Sequence, residues 1–406
     1  MKDGVIKRIL YKTGVIPLYS NYQQYRYDKK IEKRNNPDRW YFKFLPIKKN
    51  KIVFDNFLGK GYGDNPKAIA EEVIRQGLKW DLVWLTKQNE EMPEQIRQVE
   101  YGSPEAMREL ATAKMWIFNC RNVKHPQKRR KQKYLQTWHG GSIPLKKMEG
   151  MTDNLDKSYI EKAKIDGKIC DFFLSSCKTR TELLNKYFWL SKNVNILEYG
   201  TPKEDILYDN CALEAMKNKV IKKLCLDNSK TIILYMPTFR DNLSCDGLDM
   251  DYTEIINAFE KRTNRKAVML VRFHPNVATR QKVQVLDNRI VDVTSYPEAN
   301  DLFAVADFGI SDYSDGIIFG LPRIGKPSFI YASDYFEYKN TRGLTSCYNN
   351  LPININKTTE ELAVNILTYD EKKYFQNWAQ YFKNEKYYEQ GNASIQVVGL
   401  LKTLIK

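Results

Sequence analysis

Short apolar runs alternate with longer segments whose apolar residues recur at helical spacing along most of this 406-residue chain. Runs rich in β-branched and aromatic residues predict strands, and the periodic segments between them predict helices. The first strand is followed by a predicted helix over 66–77, with Pro66 in its first turn and Gly77 at its end. The first half contains five strand-like runs, at 51–57 (KIVFDNF), 81–86 (DLVWLT), 115–119 (MWIFN), 134–138 (YLQTW) and 171–176 (DFFLSS).

The pattern changes over 202–230, a charged helical stretch, and then starts again. Five more strand-like runs follow, at 231–236, 267–273, 289–293, 307–311 and 328–332, before a Tyr- and Lys-rich helical stretch over 358–406. Strands that alternate with helices predict parallel, doubly wound sheets. We therefore expect an α/β protein with two Rossmann-like domains, at 51–215 and 216–406, preceded by a basic segment at 1–50.

The basic segment carries much of the charge. The net charge of the chain is +16, and residues 1–51 contain 14 Lys and Arg against 4 Asp and Glu. Val5, Ile6, Ile9 and Leu10 fall at helical spacing among lysines and an arginine, which is typical of a helix that lies on an anionic membrane surface. A helix packed on the protein's own core is the alternative. No apolar run reaches the roughly 18 residues that predict a bilayer span.

The seven cysteines are scattered and never spaced as CxxC. This spacing argues against a disulfide framework and a zinc site, and it favours a reducing cytoplasm. The DMD sequence at 249–251 precedes a predicted helix and is interpreted as a cap in its first turn. We expect no metal site and no cofactor.

Polar residues follow five of the predicted strands, where ligands bind in open α/β sheets. Arg240, Arg272 and His274 in the second half are donors suited to a diphosphate, and the helix start near Ser314 offers backbone N–H groups. In the first half, His139 lies between a strand and two glycines, and a histidine with a pKa near 6.5 is a competent general base. These residues predict a transferase with a nucleotide-diphosphate donor in the C-terminal half. The third histidine, His125, is interpreted as structural.

Eight segments in order across about 50–345 carry a resemblance to a known family. They are FDNFLGKGYGDNPKAI, QKYLQTWHGGSIPLKKM, DFFLSSCKTRTELL, EYGTPKEDIL, ILYMPTFRD, VRFHPN, VADFGISDYSD and GKPSFIYASDYFEYKNTRG. In these segments the chain resembles the CDP-glycerol glycerophosphotransferase family, the teichoic acid primases and polymerases. The resemblance implies a GT-B-like fold and a peripheral protein on the cytoplasmic face of the membrane. It also implies transfer of glycerol phosphate or ribitol phosphate from a CDP-alcohol to an undecaprenyl-diphosphate-linked acceptor, with release of CMP.

The resemblance also implies roles for single residues. The histidine of the WHG motif, His139, is the implied base, and His274 of the RxHP motif is the implied contact of the donor pyrophosphate. Both are predicted to be catalytic. Predicted donor-binding residues are Thr238, Arg240, Arg272, Ser311, Asp312, Ser314 and Asp315. Predicted acceptor- or phosphate-binding residues are Lys60, Asn65, Gly140, Gly141 and Lys146.

The chain departs from the family pattern at three places. Asp315 replaces the second serine of DYSS, Phe319 stands where an aspartate is usual, and GGSIP is longer than the usual WHGTP turn and is expected to reshape the acceptor side. These departures leave the donor alcohol open. Two other functions also stay open, a GT-B glycosyltransferase that uses a nucleotide sugar and a non-catalytic surface-binding protein. Nucleic-acid binding is not expected, because no RNA- or DNA-binding module accompanies the basic runs.

Overall fold

A computed structural model describes residues 40–122, 124–140, 142–152, 155–238, 240, 249–273, 287–296, 298–388 and 390–405. Three predictions fall outside these residues: the amphipathic helix near the N-terminus, the catalytic role of His274 and the phosphate-binding role of Gly141. They stay predictions of the sequence.

The first half of the chain forms a seven-stranded parallel sheet with the order β3-β2-β1-β4-β5-β6-β7. Consecutive residues of β1, an interior strand, face opposite sides of the sheet, so that Ile52 and Phe54 join one hydrophobic cluster and Val53 joins another. The strands are β1 (Lys48–Asp55), β2 (Asp81–Thr86), β3 (Ile96–Glu100), β4 (Ala113–Phe118), β5 (Lys133–Gln136), β6 (Phe172–Leu174) and β7 (Asn195–Leu197). The helices are α1 (Asp64–Arg75), α2 (Pro104–Thr112), α3 (Lys157–Ile169) and α4 (Lys178–Tyr187), with short 3-10 helices at Trp40–Phe44, Glu149–Met151 and Pro202–Tyr208.

The second half forms a six-stranded parallel sheet with the order β10-β9-β8-β11-β12-β13. Its strands are β8 (Thr231–Met236), β9 (Ala267–Val271), β10 (Ile290–Asp292), β11 (Phe308–Ser311), β12 (Ser328–Tyr331) and β13 (Ile355–Asn356). The helices are α5 (Asn210–Leu224), α6 (Tyr252–Thr263), α7 (Ala299–Val305), α8 (Asp315–Arg323), α9 (Tyr335–Thr341), α10 (Ser346–Asn349), α11 (Thr359–Thr368), α12 (Glu371–Asn384) and α13 (Ala393–Leu404). Two such sheets confirm the predicted α/β fold with paired Rossmann-like units. Strand order reverses beside β1 and β8, the position where such sheets bind ligands.

The last helix, α13, packs on the first sheet rather than on the second. Val397, Val398 and Leu401 lie in the same hydrophobic cluster as Ile52 and Phe54 of β1. The segment predicted as the second domain, 216–406, therefore contains a helix that belongs to the core of the first half.

A side-chain cap begins α6. The Asp251 side chain accepts a hydrogen bond from Glu254 N at 3.0 Å and caps α6, as the DMD interpretation predicts. Within the described ranges no helix is long and apolar enough to cross a membrane, and no group of three or more His, Cys, Asp and Glu side chains is arranged to hold a metal ion.

Candidate active site

His139 follows β5 in a turn in which Trp138 takes a left-handed backbone conformation, with φ at 55°. The Nδ1 atom of His139 lies 2.8 Å from the carbonyl oxygen of Asn119. A carbonyl only accepts hydrogen bonds, so Nδ1 carries the hydrogen and the lone pair of the neutral ring is on Nε2. The ring stacks on Trp138 with centroids 4.5 Å apart and packs against Phe57 at 5.1 Å. The ring is thus fixed in the tautomer that a general base requires.

The charge state of His139 favours the same role. Burial lowers the pKa of His139, and the nearby cations Lys203 and Arg180 lower it further, against the opposing effects of the Asn119 hydrogen bond and Asp64. The imidazole is therefore neutral at pH 7 and able to take a proton.

Asn65 and Lys203 hold the backbone of this turn. Asn65 donates from Nδ2 to Trp138 O at 2.9 Å and accepts from Lys203 N at 3.1 Å. The Lys203 ammonium donates to His139 O at 2.6 Å and to Asp64 Oδ2 at 2.7 Å. Asn65 is buried with both ends of its amide in use, so the structure gives this predicted acceptor ligand a positioning role. Sequence reasoning missed Lys203, although it lies inside the quoted segment EYGTPKEDIL.

The loop after β1 is shaped by a buried carboxylate. Asp55 accepts from Gly59 N and from Asn122 Nδ2, both at 2.8 Å, and burial raises its pKa to about 7. Gly59 has a φ of 79°, and a Cβ there would lie 2.6 Å from the Cβ of Tyr101, so the position requires glycine. Lys60, a predicted phosphate ligand, extends from this loop with an exposed side chain.

In the second half, the predicted donor-binding residues bind one another. Asp312 is buried and accepts from Thr238 N at 2.9 Å and Thr238 Oγ1 at 2.6 Å, while Ser311 Oγ donates to Met236 O at 2.7 Å. Arg240 pairs with both oxygens of Asp334, at 2.6 and 3.0 Å, and its Nη1 lies 2.9 Å from Asp312 Oδ2. All three nitrogens of this guanidinium have protein partners. The network therefore ties the loops after β8, β11 and β12 to one another, a role that the sequence pattern did not predict.

Arg272 lies at the end of β9, the strand that pairs with β8. Its Nη2 donates to Tyr296 O at 3.2 Å, and burial lowers the pKa of the guanidinium, against the opposing effect of Glu298. The side chain is half-buried and lies at the carboxyl end of a strand that neighbours β8.

The two halves meet at the start of α8. Asp315 accepts a long hydrogen bond from Ser142 N at 3.4 Å, and a Cβ on Gly140 would lie 3.7 Å from Asp315 Oδ2. Ser314, the residue before α8, is half-buried and its side chain does not cap the helix. The predicted His139 turn and the predicted phosphate-binding turn are thus neighbours across the junction, as the sequence suggested.

Lys146 lies near the same carboxylates and is half-buried. Burial lowers the pKa of its ammonium, while Asp315 and Asp312 oppose that shift.

The segment after the glycines packs against the second half. Ile143 and Leu145 are buried in the hydrophobic cluster of the second half, with Tyr313 and Tyr338. Thr345 N donates to Leu145 O at 2.9 Å in a short antiparallel contact. The apolar residues of the GGSIP region therefore join the halves, and the expected effect of this longer turn on the acceptor side stays a prediction.

Phe319 is likewise a core residue. It is fully buried, and its ring lies 5.6 Å from Trp378 and 6.1 Å from Tyr381 of α12. An aspartate at this place would be an unpaired charge among aromatic rings, so in this chain the residue at 319 serves the packing of the core.

The chain was also compared with known proteins. It is 29% identical over 301 residues to a teichoic acid glycerol-phosphate transferase of Staphylococcus aureus, covering 71% of this chain and 76% of that one. It is 26% identical over 369 residues to a teichoic acid poly(glycerol phosphate) polymerase of Bacillus spizizenii, covering 87% and 92%. Against a polymerase of the same description from Staphylococcus epidermidis, the identity is 27% over 314 residues, which cover 75% of this chain and only 43% of that longer protein.

Among solved structures, the wall teichoic acid polymerase TagF superposes with a TM-score of 0.79 at 25% identity, covering 96% of this chain and 98% of that one. The profile of the family described as CDP-Glycerol:Poly(glycerophosphate) glycerophosphotransferase matches residues 40–402. This match confirms the resemblance seen in the sequence and the predicted phosphotransferase class. The chain belongs to the CDP-glycerol:poly(glycerophosphate) glycerophosphotransferase family.

Proposed function

We propose that this chain transfers a polyol phosphate, glycerol phosphate or ribitol phosphate, from a CDP-alcohol to a lipid-linked acceptor and releases CMP. The observation that carries the proposal is the 2.8 Å contact between His139 Nδ1 and Asn119 O, which leaves Nε2 as the basic nitrogen beside the junction of the halves. Family membership supports a CDP-glycerol donor, and one solved structure of TagF is of a histidine variant soaked with CDPG.

The proposed mechanism uses His139 as the base. Nε2 takes the proton of an acceptor hydroxyl, and the hydroxyl oxygen attacks the phosphorus that bears the alcohol. The bond from that phosphorus to the oxygen bridging to CMP breaks, and CMP leaves with the bond electrons. Backbone N–H groups at the start of α8, together with Ser314 and Arg272, stabilise the phosphate charge as it develops. His274 completes the proposed donor site.

The acceptor and its location are parts of the proposal. We infer an undecaprenyl-diphosphate-linked acceptor, and attachment of the basic segment 1–50 to the anionic inner leaflet on the cytoplasmic face. The product would belong to teichoic acid or a related cell-surface phosphopolymer. Lysines near an anionic surface contribute about 1 kcal/mol each, which supports a peripheral attachment of this kind.

A donor screen tests the proposal. The purified chain is mixed with a lipid-linked acceptor and, in separate reactions, with CDP-glycerol, CDP-ribitol or a UDP-sugar, and the released nucleotide is identified. Release of CMP from a CDP-alcohol is expected. UDP release from the sugar would instead favour a glycosyltransferase, and no release in any reaction would favour a surface-binding protein.

A further inference from the structure

Arg180 is a buried arginine at the third position of α4, and sequence reasoning gave it no role. Its exposed fraction is 5%, yet among the described residues its guanidinium makes one hydrogen bond, from Nη1 to Ser142 O at 3.1 Å, and no ion pair. The other deeply buried arginines differ. Arg121 pairs with Glu149 and Asp166, and Arg240 pairs with two aspartates. Buried charges are normally paired, because an unpaired charge loses its hydration without compensation.

The position of Arg180 indicates what completes its coordination. A Cβ on Gly140, the residue after His139, would lie 3.8 Å from Arg180 Nη1. The guanidinium therefore lies next to the turn that carries the proposed base, where α8 of the other half begins. Asp315 is the carboxylate that acts most strongly on its charge, but the two side chains are not within ion-pair distance.

The Ser142 hydroxyl is a second polar group of this region. Ser142 is fully buried, and its hydroxyl oxygen makes no hydrogen bond within the described part of the chain. Lys146, four residues further on, makes no side-chain hydrogen bond or ion pair that the described residues show, and Asp315 and Asp312 are the carboxylates that act on its charge. Arg180, Lys146 and the Ser142 hydroxyl thus lie in or beside one turn, and Asp315 is the carboxylate that acts most strongly on both cations.

We propose that Arg180 binds a phosphate oxygen of the substrate at the junction of the two halves, and that the Lys146 ammonium adds a second positive charge for the same phosphate. The inference rests on the proposed function, since that reaction brings two phosphate-bearing molecules, the CDP-alcohol and the acceptor, to this turn. A planar guanidinium offers two parallel N–H donors to a phosphate, which makes arginine well suited to the task.

Asp315 acts against this phosphate. Its carboxylate accepts the Ser142 N–H that a phosphate oxygen would otherwise take, and its negative charge opposes an anion beside it. The substrate must displace this carboxylate from Ser142 before Arg180 and the start of α8 can both contact the phosphate. Asp315 therefore sets how strongly phosphate binds, and Arg180 supplies the attraction.

Binding measured by calorimetry on the full chain tests the proposal without turnover. The probes are CDP-glycerol for the donor, glycerol 3-phosphate for the acceptor, and inorganic pyrophosphate as an anion whose binding does not depend on the proposed reaction. Arg180→Gln is expected to weaken at least one of them by about 10- to 100-fold, since hydrogen bonds to charged groups contribute at that level. Weakening confined to CDP-glycerol assigns the contact to the donor phosphate, and weakening confined to glycerol 3-phosphate assigns it to the acceptor.

Lys51→Gln is the matched control. Lys51 lies within β1, is 2% exposed and pairs with Glu109 of α2, so its loss is expected to lower the melting temperature and leave all three affinities unchanged. In Asp315→Asn, phosphate binding is expected to tighten several-fold, and the tightening should disappear when Arg180→Gln is added. Arg180→Lys, which keeps the charge, is expected to restore part of the affinity.

Affinities of Arg180→Gln within twofold of the unchanged chain for every probe would overturn the proposal, as would failure of the unchanged chain to bind any of them. If Arg180→Gln does not fold, Arg180→Lys decides: affinity reduced by about threefold or more supports the phosphate contact, and unchanged affinity rejects it. Absence of CMP release with normal pyrophosphate binding would instead reject the proposed function and leave the phosphate site standing.

Discussion

In both halves polar residues follow the strands, yet the two halves use these residues differently. At the ends of β8 and β11, Arg240 and Asp312 are saturated by partners from the same half. At the ends of β1 and β5, the polar groups hold the backbone, and among the described residues no hydrogen bond to His139 Nε2 is found. On α4, the Arg180 guanidinium makes a single hydrogen bond within the same described ranges. The second half thus pairs its polar side chains with one another, whereas the first half leaves two of its nitrogen-bearing side chains with few hydrogen bonds among the described residues.

This difference explains why polar residues after strands are an incomplete guide to ligands. A side chain that follows a strand binds either substrate or another part of the protein, and the two cases are told apart only when its partner in the fold is known. Asp334, the partner of Arg240, is 94 residues away in the chain, so no local pattern shows that the arginine is already paired.

The largest effect is expected for His139→Ala. Loss of a general base typically lowers turnover by about 10²- to 10⁴-fold, and we expect CMP release to fall in that range while CDP-glycerol still binds. The measurement is steady-state CMP release with the donor concentration varied. His125→Gln is the control, since His125 packs on Trp116 in the first half and contacts Pro126 O. A near-normal rate for His139→Ala would remove the base from the proposed mechanism.

Arg240→Gln is expected to lower the free energy of unfolding. Removing one member of a buried ion pair costs about 3–5 kcal/mol, because Asp334 and Asp312 are left buried without the guanidinium. Urea unfolding of the full chain measures the loss. Unchanged stability combined with a raised KM for the donor would instead restore the predicted role of Arg240 as a donor ligand.

Leu145→Ala tests the contact between the halves. Its side chain is buried in the core of the second half, and truncating a buried leucine costs about 2–5 kcal/mol. We expect a lower free energy of unfolding together with slower turnover, since the His139 turn precedes this residue directly. The control is Val364→Ala on α11, whose side chain is 59% exposed and whose truncation should change stability by less than about 0.5 kcal/mol.

The smallest effect is a displaced pH profile. Burial lowers the pKa of His139, and a base is active only when deprotonated, so activity should be lost as pH falls through a value below the usual 6.5 of histidine. The profile of kcat/KM between pH 5 and 8 reports this value for the free enzyme. A midpoint at or above 6.5 would contradict the assignment of His139 as the group that limits activity on the acid side.

Much of the fold followed from the sequence. The run predicted at 231–236 is β8 without change, because a continuous apolar run bounded by polar residues is typical of a fully buried strand. The edge strands β3 and β7 were missed, since Ile96–Glu100 exposes three of its five residues and Asn195–Leu197 is only three residues long. Short, half-exposed strands carry little periodic signal.

The site was predicted less completely than the fold. The position of His139 and of the turn at Ser314, each directly after a predicted strand, indicated that they belong to one site, and the contact between Ser142 and Asp315 agrees with that expectation. Arg180 was missed because it lies within a helix, where a basic residue ordinarily faces solvent. Its burial depends on packing between halves that the sequence does not display.

The return of α13 to the first sheet has a consequence for biosynthesis. Val397, Val398 and Leu401 complete a cluster whose other members, such as Ile52 and Leu135, are made hundreds of residues earlier. Domains generally fold as they emerge from the ribosome, N-terminal first. Here the half that is synthesised first must wait, with an apolar face uncovered, until the second half has been translated, so the nascent chain is a natural client for chaperones during that interval.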